Sequence, residues 1–205
     1  MEFMNTQNVV LMRMARESLI GKWGLAIGTF VVYILMVGSI QVPTVFFPTV
    51  GLLSFIIAGP LALGMSVFSL NISRDQDARF EQLFAGFYNF LTALGAYLLM
   101  VLFTLLWALL LIIPGIIAAL SYSMTFYILA DDSSIGANEA LDKSKEMMRG
   151  YKWKFFCLGL RFFGLGLLCL LTLGIGFLWL FPFMQVTMAK FYDDINGRYI
   201  TIVNG

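Results

Sequence analysis

Hydrophobic positions in this chain fall into long blocks that carry no charge. No Asp, Glu, Lys or Arg occurs from Trp23 to Ser73, from Gln82 to Ala130 or from Phe162 to Ala189. Arg161 alone interrupts the longer apolar stretch that begins at Phe155. A membrane span needs about 20 apolar residues, within a range of about 17–25. The first two blocks each hold two spans and a turn, and the third fits two short ones. Each block also contains breakers: Pro43 and Pro48, with Gly59-Pro60 beyond; Pro114-Gly115; and Gly174-Ile175-Gly176. Pro and Gly at such points end or kink helices and make turns. The pattern predicts an all-α polytopic membrane protein with six transmembrane helices, near residues 24–40, 51–72, 91–113, 116–130, 155–173 and 177–191. They pair as three hairpins, over 24–72, 91–130 and 155–191, in one membrane domain spanning 1–205. An unbroken helix over 91–130 would be about 60 Å long, twice the hydrocarbon core.

Short amphipathic segments over 8–22, 77–86 and 135–149 precede the hairpins as interfacial helices. Two spans per block return the chain to its starting side each time, so both termini and all charged connections share one face. Lys and Arg concentrate on the cytoplasmic side of membrane proteins, which makes that face cytoplasmic. Arg13, Arg16 and Lys22 precede the first apolar run, but the long lead-in and Glu17 argue for a retained span rather than a signal peptide. Segment 135–149 is expected to be capped by Asp132, Ser133 and Ser134 and ended by Gly150, lying along the membrane surface with its charges in water.

The hairpins share an ordering. Each starts with Gly followed by aromatics, at Gly21-Lys22-Trp23, Gly86-Phe87-Tyr88 and Gly150-Tyr151-Lys152-Trp153. Each ends in acids, at Asp75 and Asp77, Asp131 and Asp132, Asp193 and Asp194. An internal repeat with a site where the repeats meet is one reading; the plainer one is that every hairpin needs a cap and an aromatic anchor.

Composition agrees with the pattern. The chain of 205 residues is 60% hydrophobic and 12% charged, with a formal net charge of +1, and its mean hydropathy is +0.87. Soluble chains carry about 45–50% apolar and about 25% charged residues. The near-zero net charge and the lack of a basic patch argue against nucleic acid as a partner. There is no His, which removes the commonest general base and metal ligand; no metal or other cofactor is expected. Cys157 and Cys169 lie too far apart on one helix to bridge and read as packing residues.

The run from Leu106 to Asp132, with Pro114-Gly115 and the polar segment Ser121-Tyr122-Ser123 inside it, resembles a family of uncharacterised bacterial membrane proteins. Glu139-Ala140, Ser144-Lys145, Met148, Gly150, Lys152-Trp153-Lys154, Leu171 to Gly176 and Ala189 to Tyr192 fit the same pattern. That family is filed as domain of unknown function nine-seven-five. The resemblance covers most of the chain, most specifically Leu83 to Asp194, and departs at Arg161, where it implies a small polar or apolar residue. It implies a bacterial multi-pass membrane protein and carries no catalytic residues over.

Several residues are candidates for function or lipid contact. Arg161 is the one charge well inside a span, which marks a functional candidate, although its side chain can also snorkel to the interface or pair structurally. Arg149, Lys152 and Lys154 gather just before a span, where they suit anionic headgroups or plain positive-inside anchoring. Ser121, Ser123 and Tyr127, with Thr125 in the fourth span and Gln185 and Thr187 in the last, can line a polar cleft or bond their own and neighbouring helices. Lys190, near the end of the last span, is explained the same way, by snorkelling or by structural pairing. Gly24-x-x-x-Gly28 offers a close-packing seam.

These readings favour a non-enzymatic module of the bacterial cytoplasmic membrane. It would act through lipids, a membrane-protein partner or a second copy, with a part in envelope homeostasis or resistance to membrane-active agents. The alternative is a small permease or efflux subunit for an apolar or amphipathic solute. An enzyme ranks third, because no acid–base pair, metal cluster or phosphate loop falls at membrane depth.

Overall fold

The computed structural model describes residues 6–44 and 50–197, with side chains over 6–39 and 55–197. Every regular element among them is helical. In chain order they are α1 (Asn8–Leu19), α2 (Trp23–Thr44), α3 (Val50–Ser73), a 3-10 helix (Phe80–Phe87), α4 (Phe90–Leu110), α5 (Ile112–Tyr122), α6 (Thr125–Asp131), α7 (Ala137–Met147), α8 (Lys152–Leu171) and α9 (Phe177–Ile195). Four segments, Phe55–Ser73, Phe90–Leu110, Ile112–Asp131 and Lys152–Leu171, are long and apolar enough to cross a membrane. The described part of α2 meets α1 at a bend of 98°, so α1 turns across the end of the bundle while α2 enters it. α9 spans Phe177–Ile195 but ends in Lys190, Asp193 and Asp194, which shortens its apolar run.

The burial pattern separates inner from outer helices. In α3 61% of the crossing segment is buried and in α5–α6 56%, against 11% for α4 and 11% for α8. Helix α3 packs on α2, α4, α6 and α9, so it stands at the centre. Along α4 and α8 large apolar side chains face outward, Leu105, Leu160 and Leu167 among them. Such an exterior is stable only in a solvent as apolar as itself, and the chain is therefore a helical membrane protein.

The turns depart from expectation in instructive ways. The second hairpin reverses at Leu111, whose backbone is extended (φ −162°, ψ 144°), not at Pro114-Gly115. Pro114 instead lies in the first turn of α5, where a missing N–H costs nothing. A Cβ on Gly115 would come within 2.7 Å of Ala108 Cα, so this glycine lets α5 close against α4. The third hairpin turns where expected, with Leu173 and Gly174 at positive φ. Gly59-Pro60 does not end a helix; Pro60 sits inside α3. Pro43 falls within α2, and the expected turn at Pro48 lies outside the described residues.

The expected fourth span is two helices, interrupted at Ser123-Met124. Hydroxyls loosen the backbone there: Ser121 Oγ donates to the Ile117 carbonyl at 2.6 Å, Ser123 Oγ to Leu120 at 2.8 Å and Thr125 Oγ1 to Tyr122 at 2.8 Å. Such back-bonding competes with the helix ladder. The break is filled from outside. Ser144 of α7, fully buried, donates its hydroxyl to the Ser121 carbonyl at 2.8 Å and accepts the Met124 N–H at 3.2 Å. The face of α7 carrying Ala140, Leu141 and Ser144 is therefore docked into the bundle rather than resting on a surface, with only its charged face open. Its N-cap is Gly136, with no side-chain cap; Asp132 instead accepts the N–H and hydroxyl of Ser134, which hold its carboxyl below the usual range. Ser144→Ala is expected to cost about 1–3 kcal/mol, the penalty for orphaning buried polar groups. Hydrogen exchange at the Met124 amide, accelerated in the variant, checks it.

The segment expected as a surface helix over 77–86 is the 3-10 helix, and it too is inserted. A Cβ on Gly64 would sit 1.9 Å from the Leu83 carbonyl oxygen, and one on Gly86 1.9 Å from that of Pro60. Backbone meets backbone along this seam. By contrast Gly24 and Gly28 have nothing within 4 Å of a built Cβ, so the expected seam of α2 faces outward.

Candidate functional site

Arg74 follows directly on the first charge-free block and gathers the ends of all three hairpins. Its Nη1 is 2.6 Å from Asp131 at the end of α6, and its Nη2 is 2.8 Å from Asp193 near the end of α9. Nε donates to Asp193 as well, at 3.1 Å, which makes that pairing two-pronged. The Arg74 and Asp193 side chains are only 13% and 3% exposed. Burial alone would lower the pKa of the guanidinium, but hydrogen bonds and charge from Asp193 and Asp131 outweigh it and hold it above its ordinary value. Tyr192 Oη donates to Asp131 at 3.1 Å. Lys190 Nζ donates to the Ser73 carbonyl, so it is buried in this junction and paired structurally rather than snorkelled to the interface.

Two further pairs close individual hairpins. Lys22, before α2, lies 3.1 Å from Asp75 after α3. Lys154, at the start of α8, lies 2.6 Å from Asp194 at the end of α9, with side chains 11% and 5% exposed. Thr6 Oγ1 also donates to Asp194, and Asn8 Nδ2 to the Lys154 carbonyl at 2.9 Å, which ties α1 to the same rim. Gly21 and Gly150 both take positive φ, at 80° and 90°. The first and third hairpins thus begin alike, through a left-handed glycine and a lysine that reaches its own hairpin's acid. The middle hairpin differs, because Gly86 serves close packing.

Of the candidate residues, Tyr127 and Gln185 come together: Tyr127 Oη donates to Gln185 Oε1 at 3.1 Å, and its ring stacks on Tyr192 with centroids 5.9 Å apart. Ser121, Ser123 and Thr125 spend their hydroxyls on nearby backbone carbonyls of the same span, as does Thr187 on the Phe183 carbonyl at 2.7 Å. Ser121 and Lys152 border one crevice of about 190 Å³ together with Trp107, Ile117 and Lys145. Lys154 is consumed by Asp194, while Arg149 and Arg161 are exposed and, among the described residues, make no ion pair. A charge facing lipid costs about 2.5–3.5 kcal/mol on insertion scales. Cys157 and Cys169 are free and half-buried.

Arg74 was not among the candidates, nor were Asp131, Asp193 or Ser144. The one available signal was that Arg74 directly precedes the acidic end of the first hairpin, in a chain whose three hairpins all end in acids.

Larger concave surfaces flank the third hairpin. One groove of about 420 Å³ runs between the α1–α2 corner and the α8–α9 pair, walled by Trp23, Leu165, Leu168, Trp179 and Phe183, with Arg16 at its edge. Another of about 390 Å³ lies on the other side of α8, among Gly159, Phe163, Gly166, Phe177 and Met184. No curated protein and no solved structure matches the chain. Two family-model matches, over residues 1–121 and 109–199, cover nearly its whole length, and the chain belongs to the family described as Protein of unknown function (DUF975).

Proposed function

We propose that the protein is a non-enzymatic, multi-pass module of the bacterial cytoplasmic membrane that holds lipid against the outer faces of its third hairpin. The observation that carries this reading is the pair of apolar grooves, of about 420 and 390 Å³, on either side of α8. Both fall within the range of about 300–1,000 Å³ typical of ligand sites. In this reading the long helical paths α2, α3, α4, α5–α6, α8 and α9 make six crossings, and the charged rim with both termini faces the cytoplasm. The polar groups that chemistry or transport would need are largely engaged: Arg74, Asp131, Asp193, Lys154 and Asp194 with one another, and the hydroxyls of α5–α6 with their own backbone. This supports the module over a permease, whose lining would fall on those same hydroxyls. A lipid-holding surface suits a part in envelope homeostasis or in resistance to membrane-active agents.

The test is the lipid content of the purified chain. After extraction in a mild detergent and size exclusion, mass spectrometry is expected to find phospholipid retained in fixed ratio to protein. A chain that emerges free of lipid yet folded contradicts the proposal.

A further inference from the structure

The groove between the α1–α2 corner and α8–α9 is apolar along its length, and among the described residues of its wall Arg16 carries the only charge. Glu17, the adjacent acid on α1, does not border it. Helix α8 brings a second cation. Arg161, Leu165, Leu168 and Thr172 recur at spacings of four, three and four, which places them on one stripe of the helix. Leu165, Leu168 and Thr172 wall the groove, so Arg161 stands one turn beyond its wall, about 14 Å from the Lys152 end at 1.5 Å per residue. Both arginines are exposed and, among the described residues, neither makes an ion pair. Trp23, at the start of α2, also borders the groove, and Trp favours the headgroup level.

The geometry points to a seat for one anionic phospholipid, its acyl chain lying against Leu165, Leu168 and Phe183 and its phosphate between Arg16 and Arg161. This rests on the lipid-holding reading and adds headgroup selectivity. An apolar trough with Arg16 on its wall and Arg161 one turn beyond, neither ion-paired among the described residues, matches the division of such a lipid into tail and anionic head. It also explains an exposed arginine on α8: a phosphate drawn beside Arg161 supplies the counter-charge that the described residues do not.

Two of the four tryptophans, Trp23 and Trp179, border the groove, which provides a local probe. The full chain with Trp107→Phe and Trp153→Phe is placed in phosphatidylcholine nanodiscs, and small mole fractions of lipid with brominated acyl chains are added. Brominated phosphatidylglycerol is expected to quench the remaining fluorescence at a mole fraction at least tenfold lower than brominated phosphatidylcholine. Arg16→Gln with Arg161→Gln should abolish that preference and each single change reduce it, whereas Arg13→Gln, on the same helix but outside the groove wall, should leave it intact. All these side chains are exposed, and an unchanged size-exclusion profile verifies folding. Equal quenching by the two lipids, or a preference that survives loss of both arginines, overturns this inference while leaving the lipid-holding module standing. Absence of any retained lipid on the purified chain would remove both.

Discussion

Replacing Arg74 by alanine is expected to destabilise the bundle by about 3–5 kcal/mol, the cost of removing one partner from a buried charge cluster. The loss is not the value of the ion pairs themselves. It comes from leaving the Asp193 carboxylate, only 3% exposed in its pairing with Arg74, without its two-pronged partner. Ser73 Oγ, 3.5 Å from Asp193, offers little replacement. The account therefore expects a specific rescue. Adding Asp193→Asn to Arg74→Ala should recover a substantial part of the loss, because a neutral amide tolerates burial without a cation. Arg74→Lys should recover less than the parent, since an ammonium cannot span Asp131 and Asp193 as a planar fork does. Denaturant titration in micelles, followed by circular dichroism, gives the four stabilities. If Arg74→Ala unfolds at the same denaturant concentration as the parent, the junction is ornamental.

Gly64→Ala is expected to destabilise by about 3 kcal/mol, at the upper end of the overpacking range. Two effects oppose each other here. Replacing a mid-helix glycine gains about 1 kcal/mol of helix propensity, but the new Cβ would fall 1.9 Å from the Leu83 carbonyl oxygen. That neighbour is backbone in an inserted 3-10 helix and has no side-chain rotation with which to yield. The clash wins. At Gly24, with nothing within 4 Å, propensity acts alone, and Gly24→Ala should be neutral or stabilising by up to about 1 kcal/mol. The same micelle titration reads both, and loss of stability at Gly24 greater than at Gly64 would reverse the assignment of the seam.

The contrast between these glycines shows what local pattern reveals about this fold. Charge-free blocks of sufficient length make helices in lipid because no water satisfies their backbone, so the apolar elements were legible to within a few residues. The reversal at Gly174 was legible for a similar reason: left-handed backbone favours glycine. Spacing alone, however, does not say which way a helix faces. Gly24-x-x-x-Gly28 carries the packing motif and points outward, whereas Gly64 and Gly86 carry none and mark the tightest approaches. Pro114 had two physical outcomes, ending one helix or starting the next, and only packing of α5 on α4 decides between them.

The junction was less legible still. Arg74 meets partners 57 and 119 residues away, and no local rule pairs residues at such separations. Repetition of acidic hairpin ends located the right neighbourhood without singling out the base that joins them. Likewise Ser144 was part of a familiar pattern, but its function as a plug for the Ser123-Met124 break depends on how α7 docks. Tyr127 and Gln185 were both named for their polarity in apolar spans, and polarity at membrane depth did find a partner.

The central claim is that three hairpins return every charged segment to one face of a membrane. Single cysteines at Asp77, Asn138 and Leu173, in a chain with Cys157 and Cys169 replaced by alanine, test it with a membrane-impermeant thiol reagent on intact cells. Asp77 and Asn138 are exposed beyond the charged ends of the first and second hairpins, and Leu173 is 94% exposed in the opposite turn of the third. The account predicts labelling at 173 in intact cells, and at 77 and 138 only after the membrane is opened. Labelling of 77 and 138 from opposite sides, or of 173 together with either of them, would contradict it.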